Sequence, residues 1–265
     1  MTINDIITAI ETFAPPTLQE SWDNTGWQLT PAGKDIECTG VMLCMDVTDK
    51  VVEEALRKGC NLIVSHHPLI FRGLRSITGQ SPVEKAVIKA IKGNIAIYSS
   101  HTALDSAPQG VSHELGTLLG LTGMRPLSPS PSDSEAGLGI IGTPPGGSIT
   151  RVKLIEEVKR VYNAPTVRVT SGPEGKDLIR TIALCSGSGG EFIPTAISLG
   201  ADAYITSDVK YHDFLDYGRE TLIIDTGHFE SEICTKSIFS RIISQKFPNF
   251  AIQMATCEQN PVAYV

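Results

Sequence analysis

One pattern occurs twice along this chain at a constant offset: strand, loop, helix, glycine, strand. When Gly40–His67 is set against Thr181–Asp208, Leu43-Cys44 falls on Leu184-Cys185, Ala55 on Ala196, Gly59 on Gly200 and Ser65 on Thr206. The apolar run Leu62-Ile63-Val64 falls on Ala203-Tyr204-Ile205, and the alignment needs no gap. Internal self-similarity of this kind marks a duplicated structural unit. Strands alternating with helices imply βαβ units and largely parallel sheets. A chain of 265 residues has room for two such domains.

The surrounding segments fit this scheme. Thr2 is placed to cap a helix in which Ile3, Ile6, Ile7, Ile10 and Phe13 recur at helical spacing, ended by Pro15-Pro16. Strands are expected at Gly40–Met45, Asn61–Ser65 and Ile95–Ser99, with helices at Thr48–Lys58, Pro82–Lys92 and Gly110–Leu119. Trp22 and Trp27 are expected to pack against the sheet. From Met124 to Gly147 the prolines, glycines and serines read as an inter-domain connection holding one short strand, Leu138–Ile141. This gives a first lobe at 1–125 and a second at 126–265, with the C-terminal helix and strand (233–265) packing back onto the first. One closing helix is expected over Ser231–Lys246 and a last strand over Phe250–Thr256.

The net charge of −7 argues against non-specific nucleic-acid binding, which needs a basic surface, but not against a small anionic ligand. The six cysteines show no C-x-x-C spacing, and Cys44, Cys60 and Cys185 lie in or beside apolar runs. Buried thiols in a reducing compartment follow, rather than disulfides or a thiolate zinc site. No N-terminal signal segment and no run of about eighteen apolar residues is present, so a cytosolic protein without membrane partners is expected.

The chemistry gathers just past the strands. His66 and His67 follow the Leu62–Ser65 strand and precede Pro68. Neighbours inside a strand point to opposite faces, so both rings converge only beyond its end. Open α/β sheets bind their ligands there. A second strand end carries His101 and Asp105, and a third carries His228 and Glu232. The last two, four residues apart, share one face if a helix starts near His228. Three imidazoles (His66, His67, His228) and two carboxylates (Asp105, Glu232) are a donor set for two divalent ions about 3.5–4 Å apart. Mixed nitrogen and oxygen ligation suits zinc, manganese, iron or cobalt.

Gly187-Ser188-Gly189-Gly190 lies between a strand and a helix. Its N–H groups offer a phosphate cradle, and a tight turn that keeps the approach open is the alternative. It is not a Walker loop, since no Gly-Lys-Ser/Thr follows. Asp208 and His212, four apart, are candidates to touch substrate or to support a ligand, the other reading being an ordinary helix-surface pair.

The chain resembles the Nif-three-like dinuclear-metal proteins, the homologues of GTP cyclohydrolase I, type two. The resemblance is carried by Glu20-Ser21-Trp22-Asp23-Asn24-Thr25-Gly26, Ser65-His66-His67-Pro68, Ser100-His101-Thr102-Ala103-Leu104-Asp105, Gly187-Ser188-Gly189-Gly190, Ile205-Thr206-Ser207-Asp208, Gly227-His228-Phe229-Glu230-Ser231-Glu232 and Asn260-Pro261. It implies a duplicated three-layer α/β/α fold with a two-metal site in the cleft between the lobes. Matched by motif, the ligands are His66, His67, Asp105, His228 and Glu232. It also implies a homohexamer with its sites facing an inner cavity. The link at Met124–Gly147 leaves no room for the extra domain that some members insert. One departure is Thr206-Ser207-Asp208, where the family pattern has glycine in the middle; serine is expected to alter the approach to the site and not the ligand set.

The function expected is hydrolysis by a metal-activated water, with Glu232, Asp105 and His101 taking part in the chemistry. Guided by the resemblance, the substrate would be a purine nucleotide such as GTP, opened at its imidazole ring with release of formate. Gly187, Ser188, Gly189, Gly190, Asp208 and His212 would line the substrate. A non-enzymatic metal-binding or partner-binding scaffold, or metal chaperone, is the alternative. Phosphatase or phosphodiesterase chemistry on the same ions is a third.

Overall fold

A computed structural model of the chain describes residues 1–131 and 133–265; Ser132, at the end of the Ser-Pro run, lies outside the described residues. The elements in order are α1 (Ile3–Phe13), β1 (Gly26–Leu29), β2 (Val41–Cys44), α2 (Asp49–Arg57), β3 (Leu62–Ser65), α3 (Pro82–Lys92), β4 (Ala96–Ser99), α4 (Thr102–Ser106), α5 (Val111–Leu118), β5 (Thr122–Ser130) and β6 (Asp133–Thr143). There follow β7 (Ile149–Thr150), α6 (Arg151–Val161), β8 (Arg168–Val169), β9 (Leu178–Ile179), β10 (Ile182–Leu184), α7 (Ile193–Ser198), β11 (Ala203–Thr206), α8 (Tyr211–Tyr217) and β12 (Leu222–Asp225). The chain ends with α9 (His228–Glu232), α10 (Thr235–Lys246) and β13 (Ile252–Met254). No helix among the described residues is long and apolar enough to cross a membrane.

Two compact units result: Met1–Leu104 with Thr235–Pro261, and Asp105–Cys234 with Val262–Val265. The first holds a five-stranded sheet in the order β1-β4-β3-β2-β13. β2, β3, β4 and β13 run parallel, and β1 pairs antiparallel with β4. Alternation along the strands makes its layers. Met42, Cys44, Ile63 and Ile97 pack with Val51, Val52 and Ala55 of α2 and Ala86, Val87 and Ala90 of α3. The intervening residue Tyr98 is buried on the other face, where its hydroxyl donates to Glu11 of α1 at 3.0 Å.

Local chemistry sets the helices. Thr2 and Asp5 form a reciprocal cap on α1, which buries Ile3, Ile6, Ile7 and Ile10 on one face. Thr48 caps α2, and Gly59 follows its C-cap Lys58 at φ +70, the left-handed turn that glycine adopts without penalty. Gly200 does the same after α7 at φ +78.

The second unit holds a six-stranded sheet in the order β5-β6-β10-β11-β12-β8, and β7 pairs with β9 in a small separate ribbon. Its parallel core repeats that of the first unit in register as well as order. Val41 pairs with Leu62 and Leu43 with Val64; at the repeat offset, Ile182 pairs with Ala203 and Leu184 with Ile205. Tyr204, Ala183 and Cys185 pack with Ile193 and Ala196 of α7 in its core.

Three expectations are corrected. The Pro-rich segment after Met124 is not a loose connection but a long antiparallel hairpin, with Arg125 opposite Ile141 and Ser128 opposite Leu138. Prolines 126 and 129 are tolerated because β5 is the sheet's edge strand, with partners on one side only. The closing helix is two helices, α9 and α10, and the chain passes from one unit to the other between Cys234 and Thr235. The units part at Leu104/Asp105 rather than at 125, because β5 and β6 belong to the second sheet and α5 packs against β6.

The six cysteines are free, and four of them are buried. Burial pushes the Cys38 thiol up to about 12, so it stays a neutral core group.

The C-terminal segment is tied down by Glu54, buried on α2. Its carboxylate accepts from Thr256 Oγ1 at 2.7 Å, from the Thr256 and Cys257 N–H groups at 3.0 Å each and from Lys58 at 2.7 Å. Burial alone would raise this carboxyl, but the hydrogen bonds outweigh it and hold it well below the usual range. Glu54→Ala is expected to destabilise the protein by about 2–3 kcal/mol, because several donors to a charged acceptor lose it at once. Urea unfolding followed by circular dichroism measures this.

Candidate metal centre

In the first unit His66, His67 and His101 come together beyond the C-terminal ends of β3 and β4. One ligand nitrogen from each lies within 4.8 Å of the others. His66 is fully buried, while His67 and His101 are partly exposed. The ring centroids of His66 lie 4.9 Å from those of His67 and 5.2 Å from those of His101.

Each ring is oriented through Nδ1. His66 Nδ1 lies 3.1 Å from the Ser100 carbonyl oxygen, which accepts only, so Nδ1 carries the hydrogen. His67 Nδ1 is 2.8 Å from Asp46 Oδ1, and His101 Nδ1 is 2.7 Å from Asp23 Oδ1. In all three, the neutral tautomer that these acceptors select has its lone pair on Nε2. Carboxylate or carbonyl behind a metal-ligating imidazole is the usual supporting arrangement.

These supports are themselves held. Asp23 also accepts from Thr25 Oγ1 at 2.8 Å, Thr102 Oγ1 at 2.6 Å and the Thr102 N–H at 3.1 Å. Burial would raise its carboxyl, yet the bonds from His101, Thr102 and Thr25 bring it far below the ordinary carboxylate range. The Asp46 backbone is fixed by Glu258, whose Oε1 accepts from the Met45 and Asp46 N–H groups at 2.8 and 2.9 Å. Lys236 donates to the other oxygen of Glu258 at 2.8 Å.

The second unit carries the other donors. α9 begins at His228 and ends at Glu232, so both lie on one turn, with Nε2 and Oε2 2.8 Å apart. Asp208 Oδ2 lies 2.7 Å from His228 Nδ1. Burial works against charge on this ring, but Asp208 and Glu232 outweigh it and raise its pKa to about 10. Asp105 lies on α4, where Ser186 Oγ donates to it at 3.4 Å.

Asp208 sits at φ +54, left-handed backbone that few residues other than glycine adopt, and this aims it at His228 and not at His212. His212 is exposed on α8, edge-on to Tyr211. Ser207, the departure from the family pattern, is fully buried. Its hydroxyl donates to the Gly187 carbonyl at 2.5 Å, so it ties two loops from within.

The glycine loop is packed tightly. The Gly187 N–H donates to Ser231 Oγ at 3.0 Å, and the Gly189 N–H to Thr206 Oγ1 at 3.0 Å. Two of its four N–H groups are therefore spent inside the unit, and what the loop holds most closely is Glu232. A Cβ built on Gly187 would lie 2.1 Å from Glu232 Oε1. One on Gly189 would lie 2.6 Å from Thr206 Oγ1 and 2.7 Å from Tyr204 Oη.

Nothing in the local sequence marks Asp23 or Asp46 as a histidine support. Asp23-Asn24 carries a turn signature, and Asp46 begins the loop before α2. Only the folded register brings them behind His101 and His67.

The donor chemistry fits a transition-series divalent ion. Imidazole nitrogens on one such ion, at about 2.0–2.1 Å each, stand roughly 3 Å from one another. His66, His67 and His101 form a group able to hold a metal ion.

A duplicated α/β protein with backed histidines at its strand ends is the class that fold and site define. The chain belongs to the DUF34/NIF3 family (NGG1p interacting factor 3), whose model matches residues 1–261. It is 37% identical over 233 residues to the GTP cyclohydrolase 1 type 2 homolog of Clostridium perfringens, covering 88% of this chain and 87% of that one. Identity to NIF3-like protein 1 of Drosophila melanogaster is 32% over 237 residues, 86% of this chain and 76% of that one. The crystal structure of Staphylococcus aureus protein SA1388 superposes with a TM-score of 0.89 at 27% identity, covering 100% of this chain and 99% of that one. Reduced HcgD from Methanocaldococcus jannaschii gives 0.82 at 26% identity, covering 97% and 98%.

Proposed function

We infer that this chain is a divalent-metal hydrolase in which His66, His67, Asp105, His228 and Glu232 act together as ligands of two ions. The observation that carries the reading is the common orientation of His66, His67 and His228. Each has Nδ1 against an oxygen acceptor, which supports Nε2 as the donor to an ion; His101 shares this orientation and is read instead as a proton carrier. When bound, the ions supply Lewis acidity and a hydroxide nucleophile at neutral pH.

The chain's own residues supply the rest. Asp208 and Glu232 surround His228 with negative charge, so His228 Nε2 and Glu232 would hold a cation there in place of a proton. His101, oriented through Nδ1 by a carboxylate that remains ionised, is suited to hold and return a proton at Nε2. Asp105 and Glu232 would supply the oxygen donors to the ions. The relatives' name, GTP cyclohydrolase 1 type 2 homolog, points to a purine nucleotide as substrate and to ring opening with loss of formate.

The test is turnover of GTP by protein reconstituted with zinc, manganese, iron or cobalt, with and without Glu232→Gln. Formate release from the native chain, and at least a hundredfold less from the variant, is expected from loss of a group at the reacting centre. Equal rates remove the metal from the chemistry. The family's name, NGG1p interacting factor 3, records an interaction with another protein and supports a partner-binding scaffold as the second reading. No turnover of nucleotides or phosphoesters, together with fast metal transfer to an acceptor, would select it.

A further inference from the structure

Both tryptophans are expected to pack against the sheet, and Trp22 stands largely in solvent instead. Trp27 meets Tyr98 edge-on at 5.3 Å. Trp22 is 58% exposed, and Phe71 beside it is 48% exposed. Their rings stand 6.1 Å apart at 68°. Each also meets His101 edge-on, Trp22 at 6.0 Å and Phe71 at 6.1 Å. Three rings thus form an open corner whose inner member belongs to the histidine cluster.

Surface aromatics left in water contribute little to folding, yet the backbone around these two is firmly held. The buried Asp23 carboxylate anchors the chain just after Trp22. Asn24 Nδ2 donates to the Ile70 carbonyl at 2.7 Å, and the Ile70 N–H donates to Gln28 Oε1 at 3.1 Å. Gln28 Nε2 returns to the Asn24 carbonyl at 2.9 Å. The loop bearing Trp22 and the loop bearing Phe71 are therefore stapled together by two amide side chains. Two exposed rings on fixed mounts are preorganised for a ligand, which lowers the ordering cost of binding.

The surroundings select the ligand. Two exposed rings beside a histidine cluster offer an apolar foothold to a small ligand. A flat π-system matches it, because aromatic faces stack on any base with little regard for sequence. Phe71 is followed on the same exposed loop by Arg72 and Arg75, local positive charge in a chain of net charge −7. Guanidinium groups are the usual partners of phosphate.

We propose that Trp22 and Phe71 form a stacking platform for the heteroaromatic ring of a phosphorylated ligand, with Arg72 and Arg75 facing its phosphate. This rests on the nucleotide reading above for the substrate's class, and it assigns the residues that recognise the ring.

The test is equilibrium binding of guanosine 5′-monophosphate and of ribose 5-phosphate to the full chain, followed by tryptophan fluorescence in a Trp27→Phe background and by calorimetry. The nucleotide is expected to quench Trp22 and the sugar phosphate is not. Trp22→Leu and Phe71→Leu should each weaken nucleotide binding about tenfold or more, from the usual worth of one stacked base. Trp22→Phe should keep most of it, and metal content should stay unchanged in all three. Equal nucleotide binding by native and Trp22→Leu protein, or no binding at millimolar nucleotide, overturns the platform. So does a change of oligomeric state in Trp22→Leu by light scattering, which would make the patch a contact between copies. Failure here with metal-dependent turnover intact removes only the platform. Ring binding without any metal-dependent turnover removes the hydrolase reading and leaves the platform standing.

Discussion

Protein carrying alanine at both His66 and His67 is expected to lose divalent metal almost completely, with affinity down at least a hundredfold. Replacing a single outer group behind a ligand typically costs 10–100-fold, and here two direct donors go. The fold should survive, since the sheet and its two helix layers do not depend on the rings. The buried His66 nitrogen nevertheless donates to the Ser100 carbonyl. Deleting it leaves that acceptor unmet, at a cost of about 1–3 kcal/mol. Metal content by mass spectrometry and folding by circular dichroism separate the two effects. A further readout is thermal: an ion at 100 times its Kd stabilises the native chain by about 2.7 kcal/mol, and the double variant should show no such increment. Asp23→Asn and Asp46→Asn should fall between native and double variant. Undiminished metal binding by the double variant would remove the first unit from the site.

The fold was legible because its strongest signals are local and repeated. Glycine after α2 and after α7, apolar strands of four residues and the Thr2 cap could each be placed from neighbouring residues alone. The duplicated register could be read in the same way, since Val41–Leu62 and Ile182–Ala203 pair as the repeat dictates. What escaped depends on partners far along the chain. The Pro-rich hairpin reads as a connection until its place at a sheet edge is known. Trp22 and Trp27 look alike in sequence, yet Trp27 meets Tyr98 in the sheet while Trp22 stands exposed beside Phe71 and His101. The ligand candidates carry a signature at strand ends, whereas their supports do not. Asp23 reaches His101 across 78 residues and Asp46 reaches His67 across 21. No periodicity links such pairs, so outer groups stay hidden where direct donors show.

Gly187→Ala should damage the site far more than the fold. At φ +63 alanine adopts a backbone that glycine takes freely, for about 1 kcal/mol. That penalty alone would be tolerated. The new methyl, however, would lie 2.1 Å from Glu232 Oε1 and 3.2 Å from its carboxyl carbon, with His228 Cε1 at 3.6 Å. The carboxylate is the end of a flexible side chain, so it can swing aside cheaply in energy, but it then leaves the position 2.8 Å from His228 Nε2. Metal affinity is expected to drop more than tenfold, the scale seen when a group around a metal ligand is displaced. Gly200→Ala supplies the comparison, because it has φ +78 with open space around its Cβ. It should carry the same backbone cost of about 1 kcal/mol, read by urea unfolding, with metal binding untouched. If both variants bind metal as the native chain does, the close packing of the glycine loop on Glu232 has no part in holding the ion. If both lose it equally, the loss comes from general destabilisation. Only a loss confined to Gly187→Ala assigns the loop its role, which is to leave room for a carboxylate where any larger residue would fill it.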